Sequence, residues 1–141
     1  MSLQKIKIQS IIKAEVRFVW SCYTEPQHIV NWNFASQEWC CPKAENDLTV
    51  GGKYAARMEA KDGSFGFDFE GTYVEIVLEK HLHFVMPDQR HVVIDFKAIG
   101  DKTKLSIEFD AEEMNSVELQ RNGWQAILDN FKNYVEHLPE Q

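Results

Sequence analysis

Apolar positions along this chain recur at two different periods, and the switches between them mark out its elements. In QKIKIQSII, Ile6 and Ile8 alternate with polar neighbours and Ile11 or Ile12 follows, a period of two that predicts a strand. In AEVRFVWSCY, Val16, Val19, Trp20 and Tyr23 stand at helical spacing. TEPQHIVNW then restarts. Thr24 is a candidate cap, Pro26 falls in the first turn and Gln27 completes a capping box, so a second short helix turns Ile29, Val30 and Trp32 inward.

The middle of the chain reads as β. QEWCCPKAE is a candidate strand, and GGKYAARMEA is a clearer one, introduced by Gly51-Gly52 and closed by the turn KDGS. FGFDFEGTYVEIVL alternates through Phe65, Phe67 and Phe69, but beyond Gly71 the apolar set shifts to Val74 and Ile76. A glycine at such a phase change predicts a β-bulge there. KHLHFVM, RHVVIDFKAI and KLSIEFDAE follow, joined by turns at PDQ and GDKT.

The closing segment returns to helical period. Val117, Trp124, Ile127, Leu128, Phe131, Val135 and Leu138 form one stripe, with Gln120, Arg121, Asn130, Lys132 and Glu136 on the polar face. The spacing predicts a helix from near Asn115, with Glu118 closing a capping box, to about Leu138 before Pro139. Such a helix spans about 30 Å, enough to cross a sheet. One strand, two short helices, about six antiparallel strands and one long helix make an α+β fold, with the apolar stripe against the concave face of the sheet. Gly123 interrupts that stripe, where glycine costs about 1 kcal/mol relative to alanine. Either the helix backbone presses close to a strand beside Trp124, or a gap lined by Trp124 admits a ligand.

Composition narrows the partners. The chain has 141 residues, read as a single domain over 1–141, and is 44% hydrophobic with 12% aromatic residues. Its net charge of -7 argues against nucleic acid and anionic membranes, which attract basic surfaces. No apolar run is long enough for a membrane span, and MSLQKIKIQS lacks the features of a signal peptide. Three cysteines, Cys22, Cys40 and Cys41, with no secretory signal fit a reducing cytoplasm. In a strand, the adjacent Cys40 and Cys41 point to opposite faces, which suits neither a disulfide nor a chelate.

Little in the chain points to catalysis. VGGKY lacks the spacing of a phosphate-binding loop, and no nucleophile elbow or zinc-protease helix motif occurs. If KHLHFVMPDQRHVVIDF is a hairpin turning at Pro87-Asp88-Gln89, Phe84 lies opposite Val92 and Leu82 opposite Ile94. The other face then carries His81 facing Asp95, with His83 and His91 as diagonal neighbours about 7–8 Å apart. Two or three imidazoles and a carboxylate could bind a divalent metal. The simpler reading is a solvated outer face with one His–Asp pair, and no catalytic residue, metal ligand or cofactor is assigned. Alternation turns Asp68, Glu70 and Arg57 outward. Arg90 shares the face of Met86 and Val92 near the hairpin end, where it could guard a cavity mouth or, as the simpler reading has it, reach solvent.

Several stretches together resemble a known family. They are IIKAEVRFVWSCYTEPQHIVNW, VGGKY, Asp62-Gly63 followed by FEGTYVEI, DKTKLSIEF and NGWQAILDNFKNYV. In this order, from Lys5 to about Leu138, the chain resembles the activator of heat shock protein 90 ATPase homologue-like domains, of the START-like, polyketide-cyclase-like (SRPBCC) helix-grip superfamily. Many relatives have a proline where this chain has Ala14-Glu15. The resemblance implies a curved antiparallel sheet of about six to seven strands wrapped around a long C-terminal helix, two short helices after the first strand, and an apolar cavity between sheet and long helix. Members of that superfamily bind lipids, hormones and polyketides, some catalyse cyclisation, and others contact a chaperone. The chaperone activator proper carries a further domain, so stimulation of a chaperone ATPase by this chain alone is not expected. Fold alone does not assign function.

The expectation is therefore a domain that binds an apolar small molecule, in a cavity lined by Trp39, Tyr54, Met58, Phe67, Phe69, Phe84, Met86, Ile94 and Trp124. Aromatic and methionine side chains supply large, adaptable apolar contact. The alternatives are a protein-interaction module, chaperone-related or not, with the cavity filled by its own side chains, and an enzyme of cyclase or hydrolase type. Either a monomer or a homodimer fits the sequence.

Overall fold

The computed structural model describes residues 4–139. The elements run β1 (Lys5–Ile12), α1 (Val16–Thr24), α2 (Pro26–Ile29), β2 (Trp39–Asn46), β3 (Lys53–Ala60), β4 (Gly66–Val77), β5 (His81–Val85), β6 (His91–Ile99), β7 (Lys102–Asp110) and α3 (Val117–His137). The seven strands form one antiparallel sheet in the order β1-β7-β6-β5-β4-β3-β2, curled into a half-barrel around α3. Strands β2 to β7 are successive neighbours. β1 pairs with β7, so α1 and α2 carry the chain from one sheet edge to the other.

The inner face follows the alternation of the sequence. Ile6, Ile8 and Ile12 of β1 face inward with Leu105, Ile107 and Phe109 of β7 and Val92, Ile94 and Phe96 of β6, all at most 5% exposed. The register of the β5–β6 hairpin is the one its turn residues imply: Phe84 opposite Val92, Leu82 opposite Ile94, and His81 opposite Asp95. The C-terminal half of α3 seals this core through Leu128, Phe131 and Val135. Phe131 meets Trp32 and Tyr23 edge-on, with ring centroids 4.7 and 5.2 Å apart, which locks α3 to α1 and to the segment after α2. The N-terminal half of α3 is only half-buried.

Local capping differs from the sequence expectation at three points. Thr24 does not cap α2. Its hydroxyl donates to the carbonyl of Trp20 at 2.8 Å and so closes α1, while Glu25 takes the cap position of α2 and Gln27 donates to its carboxylate at 2.7 Å. α3 is capped by Ser116, whose side chain accepts the Leu119 N–H at 3.1 Å, so Asn115 and Glu118 form no capping box. Gln120, placed on the polar face by the helical wheel, is only 8% exposed. The segment before α3 folds back over it: its amide donates to the carbonyls of Glu112 and Asn115 and accepts the Glu112 N–H, at 3.0, 2.9 and 2.8 Å.

The bulge in β4 lies at Val74, three residues beyond the expected position. Gly71 pairs regularly with Tyr54, and the register shifts between Tyr73 and Glu75. Gly71 answers a different need. A Cβ there would fall 2.2 Å from Cδ1 of Phe84, so the missing side chain is what lets that ring lie across β4.

Candidate functional site

Between the curled sheet and the N-terminal half of α3 lies a pocket of about 560 Å³. Each wall comes from the inward side of one strand. β3 contributes Tyr54 and Met58, and β4 contributes Phe67, Phe69 and Tyr73. Leu82 and Phe84 of β5, with Met86 after it, and Val92 and Ile94 of β6 form the floor. Trp124 roofs it. Its indole stacks on Phe109 of β7 at 3.9 Å and 12°, and meets Phe69 of β4 edge-on at 5.7 Å, so one side chain bridges both walls.

Eight of the nine side chains expected around a cavity line this pocket: Tyr54, Met58, Phe67, Phe69, Phe84, Met86, Ile94 and Trp124. Trp39 stands apart. It pairs with Ala60, beyond the last inward pair of the wall, Met58 and Phe67, and its ring packs on Phe65 and Phe67 at 6.1 and 6.2 Å. Gly123 is not pressed against a strand, because a Cβ added there would have nothing within 4 Å.

The inner end of the pocket holds polar groups that the sequence pattern did not single out. Tyr23, Trp32 and Asn33, from α1 and the segment after α2, close it there. The Asn33 side-chain amide donates to the Tyr54 hydroxyl at 3.1 Å, and the Tyr73 hydroxyl donates to Asn46 at 2.8 Å. Among the described residues, no acceptor lies in hydrogen-bonding reach of the protons of the Tyr54 and Tyr23 hydroxyls. Burial raises the pKa of Tyr23 and Tyr54, reinforced by Tyr73 at the first and by Tyr23, Tyr73 and Cys41 at the second, and burial outweighs the Asn46 bond at Tyr73. All three phenols stay protonated, hence donors, across the neutral range. Tyr23 fell on the helical stripe and read as core, and nothing local marked its hydroxyl as facing a void.

At the mouth the charges are mutually committed. Arg90 does not reach freely into solvent. It lines the pocket with its side chain 16% exposed, and its guanidinium donates to Asp88 at 2.7 Å. Asp68 and Glu70 contribute to the wall, but their carboxylates pair with Arg57 at 3.5 Å and Lys53 at 4.0 Å on the outward side. Glu112 accepts the N–H groups of Met114 and Asn115, at 3.3 and 2.8 Å, beside the buried Gln120. The lining therefore carries four carboxylates and one guanidinium, and that guanidinium is already held by Asp88.

No helix among the described residues is long and apolar enough to cross a membrane. No curated protein matches the sequence. The solution structure of the AHSA1-like protein from Aeromonas hydrophila is similar at 40% identity and a TM-score of 0.88, covering 98% of this chain and 99% of that one. Chr148 from Cytophaga hutchinsonii is 42% identical, with a TM-score of 0.81 over 97% of this chain and 98% of its own. CV1439 from Chromobacterium violaceum shares the fold at 22% identity, with a TM-score of 0.85 over 97% and 99% of the two chains. The profile of the family described as Activator of Hsp90 ATPase homolog 1-like protein matches residues 13–136. A helix-grip fold of the SRPBCC kind and a family match across nearly the whole described chain agree, and the protein belongs to the Activator of Hsp90 ATPase homolog 1-like family.

Proposed function

We propose that the pocket binds a neutral, largely apolar small molecule that offers a hydrogen-bond acceptor, such as a carbonyl or ether oxygen, to the Tyr23 and Tyr54 hydroxyls. The observation that carries this reading is the pair of phenol hydroxyls at the end of an otherwise aromatic pocket of about 560 Å³, Tyr54 held by Asn33 and Tyr23 half-buried with no protein partner among the described residues. A ligand acceptor bonded to either hydroxyl would contribute about 1 kcal/mol net. The charge pattern supports neutrality. An anionic head group would find Arg90 taken by Asp88 and three further carboxylates in the lining.

The test is thermal unfolding with matched probes: polycyclic or long-chain ketones and their carboxylate analogues. A ketone at a hundredfold excess over its Kd stabilises the folded chain by roughly 2.7 kcal/mol and raises the melting temperature by several degrees. Tyr23→Phe and Tyr54→Phe each weaken ketone binding by about fivefold, the equivalent of one hydrogen bond of about 1 kcal/mol. No shift with any neutral probe, or equal binding of the carboxylates, would sink the reading. A protein-interaction module is the second reading, favoured by the Trp39–Phe65–Phe67 cluster beside edge strand β2, in which Phe65 is 60% exposed. It gains ground if the pocket takes no probe and substitutions in that cluster leave stability unchanged.

A further inference from the structure

The outer face of the sheet carries a second set of convergent groups, and the β4 bulge is what assembles it. Before the bulge, Tyr73 lies opposite Phe84; after it, Glu75 lies opposite His83, Ile76 opposite Leu82 and Val77 opposite His81. Were Val74 paired regularly with His83, Glu75 would fall opposite Leu82 and point into the core, since a one-residue slip exchanges the faces of a strand. The bulge re-aims this carboxylate to the side that carries His81 and His83.

The contacts there are close. Nδ1 of His81 lies 2.7 Å from the Asp95 carboxylate, and its Nε2 lies 3.0 Å from the Glu75 carboxylate. Nε2 of His83 lies 2.8 Å from Nδ1 of His91. One donor atom from each of Glu75, His81 and His83 falls within 4.8 Å of the other two. Nε2 of His81 is shielded from solvent and has no hydrogen-bond partner. If Nδ1–H of His81 donates to Asp95, its Nε2 carries a free lone pair beside the Glu75 carboxylate, whose oxygen lies off the line of a hydrogen bond. A cation that drew on both that lone pair and the carboxylate would satisfy the two groups together.

We propose that Glu75, His81 and His83 bind a divalent transition-metal ion of the zinc class, with Asp95 orienting His81 from behind. Two imidazoles and a carboxylate suit zinc, cobalt, nickel or copper rather than magnesium or calcium, which prefer oxygen donors. The carboxylate–histidine–metal arrangement is the usual means of fixing a ligating ring and its tautomer. A metal would draw His83 in as a third donor, a ring that otherwise bonds His91 at 2.8 Å. Donor separations in a tetrahedral site are about 3.4 Å for bonds of 2.0–2.1 Å, so the three side chains need only small rotations to close.

The test uses the full chain without a histidine tag, titrated with Zn²⁺ by calorimetry and with Co²⁺ by visible absorption, while the His81 and His83 ring resonances are followed by NMR. The expected result is one saturable equivalent that shifts both rings. Glu75→Gln and His83→Gln should weaken binding at least tenfold, Asp95→Asn should weaken it roughly 10–100-fold, and His137→Gln should leave it unchanged. Urea unfolding of each variant in the absence of metal checks that the fold is kept. Glu75, with a 59% exposed side chain, provides a variant that leaves the core untouched. Non-saturating binding, or an affinity unmoved by Glu75→Gln and His83→Gln, would overturn the proposal.

Discussion

Gly71→Ala isolates one packing decision on which the pocket depends. The added Cβ would stand 2.2, 2.8 and 3.0 Å from Cδ1, Cε1 and Cγ of Phe84, where unstrained carbon atoms keep about 3.5–4.0 Å. Phe84 is 5% exposed and boxed in by Tyr54, Tyr73 and Phe69, with ring centroids 5.9, 5.9 and 6.1 Å away. Its way out is into the pocket it lines. Overpacking of this kind costs roughly 1–3 kcal/mol. Replacing a strand glycine lowers the entropy of the unfolded chain and returns about 0.5–1 kcal/mol. The net expectation is a loss of roughly 1–2 kcal/mol, read in urea as a lower midpoint at unchanged slope. Phe84→Leu in the Gly71→Ala background should recover at least about 1 kcal/mol relative to the sum of the single changes. If Gly71→Ala is neutral or stabilising, or the double variant is simply additive, Phe84 does not lie over Gly71 and the reasoning fails.

Two further predictions concern stability. Gly123→Ala, by contrast, meets open space and should stabilise the chain by about 1 kcal/mol through helix propensity alone; a loss in the same urea assay would mean that α3 is pressed against a strand there after all. Asp110, with a 5% exposed side chain, accepts the Lys5 ammonium and the His91 N–H, the latter at 2.7 Å, and so joins β1, β6 and β7. Asp110→Asn should cost roughly 1.5–3 kcal/mol near neutral pH. Burial pushes the Asp110 carboxyl up, but the bonds from Lys5 and His91 outweigh it and hold the group below its ordinary value of 3.8. The folded state therefore binds fewer protons than the unfolded one, and this contribution is present above about pH 4 and lost as pH falls through the lower folded value. The gap between wild type and Asp110→Asn, followed by urea unfolding from pH 6 down to pH 2, should narrow in acid. A gap that stays constant would show that the charge is not what Asp110 contributes.

The fold was legible where period and turn chemistry act locally. The alternation of β1, the stripe of α3 and the Pro87–Gln89 turn each determine a face or a register within a few residues, and the β5–β6 pairing follows from them. What was not legible depends on contacts between distant residues. Gln120 fits the polar face of an isolated helix, and only the fold-back of the Glu112–Asn115 segment buries it. Trp39 was expected in the wall, but nothing local in the sequence says where along the sheet the wall ends. Arg90 was placed on the correct face, yet its partner Asp88 lies across a turn whose shape the pattern leaves open. Tyr23 and Tyr54 were visible as aromatic mass, but whether their hydroxyls found partners depends on the Asn33 amide and on empty space.

β4 shows why one glycine could not be read from the sequence alone. A glycine in a strand signals either an inserted residue or a close neighbour, and a phase change downstream favoured the first. In the fold the two causes are separate: Gly71 admits Phe84, and Val74 carries the phase change. The separation has a physical reason. Had the extra residue fallen at Gly71 itself, the pairing of Tyr54 with Gly71 would be lost, and Phe84 would have no gap to enter. With the bulge at Val74, the strand keeps its inward phase through Phe67, Phe69, Gly71 and Tyr73, which builds the pocket wall. Only then does it change phase, and Glu75 is kept away from Leu82, which is 1% exposed. The 59% exposed Glu75 side chain meets His81 in solvent instead of facing the core as an unpaired charge. One strand thus serves two faces, leaving out a side chain on the inside and adding a residue that turns a carboxylate to the outside.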